Sequence, residues 1–409
     1  MKNFLRFIAL AAAAVMFVSC PNGTPEQNVT GTTPVITIVT QPAAETNVTA
    51  GAISGNLTVA ASVTAGATLS YQWFSNTTAS NAGGTAVSGA TEASFVIPTG
   101  LGVGTHYYFV EVRASGGAAP ARSAVATVTV IELPPVEMVW VPGGVFELGQ
   151  EMGTAGSGNV NPVSTVTLSG FYMSRFPVTQ AQFLAVMGFN PSYFSSNPAA
   201  GEVQRRRPVE NVSWHHAIVF ANRLSIMSGL TPAYAMPAAV GGAWTADPDL
   251  WGAIPDWGSP LPVTARWNNV WIVPGSTGYR LPTEAQWEFA AKGGANPSGN
   301  FTFAGSNNAN AVTWHNGNSG GRTREVGRLD PNCLGFYDMS GNVWEWVWDR
   351  WGDYTSEPKE DPVGPDTGTG RVLRGGSWSA MASDSRSVNR FFSSPGNRNG
   401  SIGFRLARP

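Results

Sequence analysis

The side chains able to run chemistry are few and poorly grouped for it. Cysteine occurs twice, at Cys20 and Cys333, which excludes a disulfide framework and a cysteine-based zinc site. Histidine occurs 4 times. His215 and His216 are neighbours on an expected helix, where adjacent side chains point about 100° apart, while His106 and His315 stand alone in distant segments. No three of them make a facial metal set. HExxH and the phosphate-binding loop are both missing from the sequence. This inventory favours recognition over catalysis.

The elements that would have to hold a recognition site follow an export signal. Lys2 and Arg6 precede an apolar run from Phe7 to Val18, and Ser19-Cys20-Pro21 comes next. That is the pattern of a lipoprotein signal peptide over 1–19, with a lipid on Cys20 and a flexible tether over 20–33. The chain is therefore expected to be exported and lipid-anchored to a bacterial membrane, displayed at the outer-membrane surface. No later apolar run reaches the roughly 18 residues that cross a bilayer. Charged residues are 12% of the chain with a net charge of −2, so no basic field exists to attract nucleic acid.

Length and punctuation point to more than one domain. The 409 residues exceed one ordinary core, and 48 Gly with 29 Pro cut the chain into short strands and loops. Over 34–132, alternating runs such as VITIVT, LSYQWF, HYYFVEVRA and AVATVTV read as short strands separated by turns. The expected architecture is an all-β immunoglobulin-like sandwich around Trp73, serving as a spacer. Leu133-Pro134-Pro135 reads as a stiff linker. Every other tryptophan of the 15 lies at Trp140 or beyond, so the larger aromatic core belongs to a second domain over 136–409. Thr179-Gln-Ala-Gln182 and Thr283-Glu-Ala-Gln286 are capping boxes that open short helices. Ser213 opens another, which Gly229 closes; Gly293 closes the helix begun at Thr283. Helices separated by Gly-, Asn- and Trp-rich loops with short strands make an α+β domain.

Seven motifs follow one another through this domain. They are Met138-Val-Trp-Val-Pro-Gly-Gly144, Phe176-Pro-Val-Thr179, Pro208-Val-Glu-Asn-Val-Ser-Trp214, Tyr279-Arg-Leu-Pro-Thr-Glu-Ala-Gln-Trp-Glu-Phe289, Gly335-Phe-Tyr-Asp-Met-Ser-Gly-Asn-Val-Trp-Glu-Trp346, Arg371-Val-Leu-Arg-Gly-Gly-Ser-Trp378 and Ile402-Gly-Phe-Arg-Leu406. Together they resemble the formylglycine-generating-enzyme (sulfatase-modifying factor) family, which implies a C-type-lectin-like fold. In catalytic members two cysteines after the GGSW motif hold copper, and soft thiolates suit that ion. Here Ala380 and Ser385 stand at those positions, so the resemblance implies a chain that is not an enzyme and has no catalytic cofactor. Cys333 is expected to be a small buried thiol. The same resemblance implies a structural calcium site at Asp338, Gly341, Val343 and Glu345, since two carboxylates and two carbonyls suit Ca²⁺.

The last stretch is similar to the variable region of diversity-generating-retroelement proteins. Arg371 to Trp378, Arg386, Arg390, Pro395, Arg398 and Ile402 to Arg408 form a framework, with clusters of Ser, Ala, Asn, Asp, Gly and Phe between them. Residues 379–401 contain no Lys, Glu, Gln or Trp, none of which an Asn codon yields by adenine substitution; Met381 cannot arise that way and is expected to be framework. Short polar side chains with aromatics suit a binding face. The expected ligand contacts are Ser379, Ala380, Asp384, Asn389, Phe391, Phe392, Ser393, Asn399, Gly400 and Ser401. Of the adjacent phenylalanines, one is expected to face the core and one the solvent. Arg386, Arg390 and Arg398 are expected to brace loops through carbonyls. The reading is a surface lipoprotein that binds a protein or glycan ligand. An accessory envelope protein whose lectin-like domain only packs, and an enzyme of altered chemistry, are the alternatives.

Overall fold

The computed structural model describes residues 33–150, 161–256, 258–259 and 261–409. The signal peptide, Cys20 and the tether up to residue 32 lie outside the described residues. No helix among those described is long and apolar enough to cross a membrane.

The first unit is all-β and two-layered. Its main sheet runs in the order Glu45–Thr49, Ala126–Ile131, Gly104–Ala114, Leu69–Asn76 and Thr85–Ala86. The first pair is parallel and the following pairs antiparallel. Two small ladders complete the unit, Ile36–Thr40 with Ala60–Val63 and Asn56–Thr58 with Ser94–Val96. Asn56–Thr58 and Ala60–Val63 are separate strands, because Val59 between them turns inward and gives its N–H to the Ala93 carbonyl at 2.9 Å, after which the chain joins the other ladder. Alternation does the rest. Trp73, Val110, Val112, Val128 and Val130 fill the core against Leu57 and Phe95, with Trp73 stacked on Phe95 at 5.5 Å. On the other face Glu111 is buried and takes Arg122 and Arg113, which hold its carboxyl below the usual carboxylate range.

The linker is docked on the second domain. Leu133 and Val136 pack on that domain's core, and the Pro135 carbonyl accepts from Gln182 Nε2 at 2.8 Å. The first unit touches the second directly as well. Asn47 Nδ2 donates to the Gly188 carbonyl at 3.1 Å and Thr49 Oγ1 to that of Ala185, meeting the end of the Gln180–Met187 helix. These carbonyls are among the orphans that every helix end presents.

Both capping boxes form as the sequence requires. Thr179 and Thr283 each accept from the N3 backbone, and Gln182 and Gln286 reach back. Ser213 caps the Trp214–Met227 helix, and Gly293 takes the left-handed conformation that ends the Glu284–Lys292 helix. The central sheet runs Arg390–Ser393, Arg371–Arg374, Trp344–Arg350, Ile402–Phe404, with Arg390–Ser393 at its edge. Trp214, Trp287 and Trp346 are fully buried around it. The strands Met138–Val141, Phe171–Ser174 and Ala407–Arg408 pair in a separate sheet and bring the two ends of the domain together.

The family-like motifs meet through buried charge. Glu284 and Glu288, one turn apart on the Glu284–Lys292 helix, lie beneath Arg374 and Arg390, which are register partners on adjacent strands. Arg390 grips Glu284 with two hydrogen bonds of 2.8 and 2.6 Å. Arg374 pairs with Glu288, which also binds Lys292 at 2.8 Å and the Gly149 N–H at 2.7 Å. Arg405 holds both oxygens of Glu345 at 2.7 and 2.8 Å. Removing one member of such a set strands a buried charge, at a cost of about 3–5 kcal/mol. Glu288→Gln is therefore expected to lower unfolding stability by about that amount in denaturant titration, whereas Arg113→Ala, which removes an exposed guanidinium and leaves Glu111 paired with Arg122, costs under about 1 kcal/mol.

Candidate ligand-binding face

Residues 375–401 form a surface loop, an edge strand and a second loop, and residues outside the segment hold its backbone. Gly375 and Gly376 take φ of +96° and +75°, and a Cβ on Gly376 would lie 2.9 Å from the Ser385 Cα, so this turn requires glycine. The Trp378 N–H bonds the Asn342 carbonyl at 2.9 Å, and Asn316 N–H reaches the Ala380 carbonyl at 3.0 Å. Arg374 donates to the carbonyls of Ser387, Val388 and Asn389. Beyond the edge strand, the N–H groups of Trp214, Asn211 and Trp344 take the carbonyls of Pro395, Asn399 and Ser401 at 3.1, 2.9 and 2.8 Å. Trp378 Nε1 donates to the Gly400 carbonyl at 2.9 Å, tying the two loops together.

The side chains between these anchors stay accessible. Ser379, Phe391, Phe392 and Asn399 are exposed, while Ala380, Asp384, Asn389, Ser393, Gly400 and Ser401 are half-buried. None of the ten is buried. The intervening Ser385, Ser387, Val388, Arg390 and Gly396 are. Some of the ten also serve the loops: Asn389 bonds Arg386 and the Ser383 carbonyl, Asp384 takes the Met381 N–H, and Asn399 takes Ser401. They do not all share one hollow. Phe392 and Ser393 line a concavity of about 920 Å³ with Asn211, Asp256, Asn397 and Arg398. Ser379, Ala380, Asp384 and Asn389 lie off its walls.

Three expectations for this segment are corrected. Both phenylalanines are exposed, 54% and 46%, although Phe391 lies 5.8 Å from Trp344 and Phe392 4.8 Å from Trp351. Met381 is not buried framework, since its side chain stands out into solvent at 60% exposure. Of the arginines, only Arg386 braces as expected, through the Ser383 carbonyl at 2.9 Å and Asn389. Arg390 takes the Gly352 carbonyl but spends most of its donors on Glu284, and Arg398 pairs with Asp256 at 3.0 Å on the concavity wall. Sequence reading missed Tyr193, 78% exposed beside Gly400, and the Asn211 and Asp256 wall. They come from remote segments, and only their spatial meeting marks them.

Behind the face, burial sets the charge states. Burial pushes the Glu210 carboxyl up to about 7 even though it accepts the Tyr193 and Phe194 N–H groups at 3.0 and 2.8 Å, and no guanidinium among the described residues bonds it. Burial pushes His215 down to about 3 and His216 to about 4, which keeps both neutral. Gly317-Asn-Ser-Gly-Gly321 has GxSxG spacing, but Ser319 donates its hydroxyl proton to the Trp378 carbonyl at 2.8 Å and is a loop brace.

The two carboxylates expected to hold calcium already have protein partners. Both oxygens of Glu345 are engaged by Arg405, and one also takes Trp287 Nε1 at 2.7 Å, so a guanidinium already supplies the positive charge. Asp338 accepts from the Gly327 N–H at 2.8 Å and Asn342 Nδ2 at 3.1 Å, and burial raises it to about 6. Gly341 and Val343 remain as backbone links in the same turn, with the Gly341 N–H on the Gly375 carbonyl at 2.6 Å. Among the described residues no group of three metal-binding side chains converges. Cys333 is likewise corrected: it is exposed, with its thiol 3.7 Å from the Gly293 carbonyl. Ala380 is half-buried, and the Ser385 hydroxyl is buried without a hydrogen-bond partner among the described residues.

A model of the sulfatase-modifying factor enzyme 1-like domain matches residues 126–409. The chain belongs to that family. The matched span begins inside the last strand of the all-β unit, ten residues ahead of the boundary expected from the linker. Over 259 residues the chain is 36% identical to chaperone protein LppX of Paenibacillus barcinonensis, covering 59% of this chain and 78% of that one. Over 267 residues it is 36% identical to the formylglycine-generating enzyme of Thermomonospora curvata, covering 59% and 82%. Treponema denticola variable protein 1 is a solved structure that matches with a TM-score of 0.59 and 38% identity, over 72% of this chain and 97% of that one. The second domain thus has the C-type-lectin-like form of this family.

Two solution outcomes follow. Millimolar Ca²⁺ is expected to leave the thermal midpoint unchanged in calorimetry, and a rise would restore Glu345 as a ligand. Glu210 has a folded pKa above its ordinary 4.5, so its contribution is complete below about 4.5 and is lost as pH climbs through 7. Glu210→Gln, which keeps an acceptor oxygen, is expected to show a shallower fall in thermal midpoint between pH 5 and 8 than the parent.

Proposed function

We propose that this chain is a non-catalytic, surface-displayed lipoprotein that binds a protein or glycan ligand through a diversified segment, 379–401. One observation carries the reading: the segment's carbonyls are held by donors outside it, while the side chains between those anchors remain accessible. A surface built this way tolerates exchange of its exposed residues without loss of the backbone that presents them. The 38% identity to Treponema denticola variable protein 1 supports it.

The family includes formylglycine-generating enzymes, but the positions where the copper cysteines are expected carry Ala380 and Ser385, and neither side chain supplies a thiolate. Cys333 is the one cysteine among the described residues, so a thiolate pair cannot be assembled there. The first unit is read as an immunoglobulin-like stalk, held against the binding domain through Asn47 and Thr49 and anchored to the membrane by a lipid on Cys20. LppX, named as a chaperone, lends some support to an accessory role; the exposed Phe391 and Phe392 favour ligand binding, since a packing-only tail has no use for them.

The decisive test is the DNA beside the gene. The reading expects a near-copy of the final coding stretch with Asn codons at positions such as 379, 391 and 392, close to a reverse transcriptase. A locus with neither, in strains whose 379–401 sequences are invariant, would contradict it.

A further inference from the structure

The edge strand has a second side. Behind Arg390 lies a cavity of about 450 Å³, a size that suits a small ligand, and neither Phe391 nor Phe392 lines it. Its floor carries Asp349, only 4% exposed. One oxygen, Oδ2, accepts the Glu284 N–H at 2.7 Å, which fixes the carboxyl at the start of that helix. Oδ1 receives no hydrogen bond from any described residue. Gly364 keeps the space beside it open: a Cβ there would lie 2.9 Å from Oδ1. Tyr354 also lines the cavity, is 8% exposed, and has a hydroxyl with no hydrogen-bond partner among the described residues. A buried hydroxyl left in this state costs stability unless something else meets it.

The charges around the cavity decide what that something is. Glu284 and Arg390 satisfy each other. That leaves Asp353 and Glu360 against Lys359 alone, a net negative lining that deepens as Asp349, pushed up to about 7 by burial and by Glu284, ionises. Arg371 is near but turned away, its guanidinium on the Trp348 carbonyl and over the Trp214 ring. Leu148, Ala285 and Val363 supply apolar wall.

We propose that this cavity binds a primary ammonium group carried on a short alkyl chain, with Asp349 Oδ1 as its counter-charge and the Tyr354 hydroxyl as its second polar contact. An ammonium is a compact donor that matches a single free carboxylate oxygen. The alkyl chain follows the apolar wall. The site is separate from the display face and does not rest on the display reading.

Isothermal titration of the purified protein with n-butylamine, n-butanol and butyrate tests the charge, and N-acetyl-lysine methylamide distinguishes a free amine from a lysine side chain. Saturable 1:1 binding is expected from butylamine or the lysine derivative, and none from the alcohol or the acid; binding of the lysine derivative alone assigns the site to a peptide. Asp349→Asn, which retains an oxygen for the Glu284 N–H, should weaken binding by about ten-fold or more. Tyr354→Phe removes only a hydroxyl and should weaken it several-fold. No saturable binding up to about 50 mM, a range that covers even weak millimolar ligands, overturns the proposal. So does binding that persists unchanged in folded Asp349→Asn protein.

Discussion

Arg374 and Arg390 face each other across adjacent strands, and like charges in that position are tolerated inside a protein only when each is neutralised. Glu284 and Glu288 do this because they stand one helical turn apart beneath the sheet. The arrangement dictates much of the domain. It requires the Glu284–Lys292 helix to start where its capping box places it, and it requires the strand carrying Arg390 to lie beside the strand carrying Arg374. Arg405 and Glu345 repeat the device one strand further across. Buried ion pairs contribute little net stability, but breaking one is costly, so they select one register over others.

That constraint explains how a mobile-looking composition becomes an ordered surface. The C-terminal stretch is rich in Ser, Asn and Gly, residues that favour loops. Arg374 crosses from the core to hold three of its carbonyls, and Trp214, Asn211, Trp344 and Trp378 hold four more. Arg390 anchors the edge strand from below, while Phe391 and Phe392 next to it stay in solvent. One strand therefore carries both a residue fixed in the core and two aromatic side chains open to solvent.

Much of this was legible in the sequence. The capping boxes, the glycine closures and the alternation of the first unit follow from local rules that need no tertiary partner, and they formed as expected. The motif order pointed to the family and to the C-type-lectin-like domain. Pairing was not legible. Nothing local says that Glu345 meets an arginine sixty residues away, or that Arg398 finds Asp256. Alternation along an extended strand suggested one buried phenylalanine, but on this strand the buried place is taken by Arg390, and both rings stay exposed. Tyr193 and Asn211 joined the face for a similar reason, through contacts made across long stretches of chain.

The central claim is that framework and display positions are physically separable. The most direct measurement is the thermal unfolding of a variant in which Ser379, Met381, Ser383, Phe391, Phe392 and Ser394, all exposed, are replaced together by other polar or aromatic residues. The account predicts one cooperative transition within a few degrees of the parent, as surface substitutions of about ±0.5 kcal/mol each imply. Loss of cooperative unfolding, or a fall of the size that a broken buried ion pair produces, would contradict it.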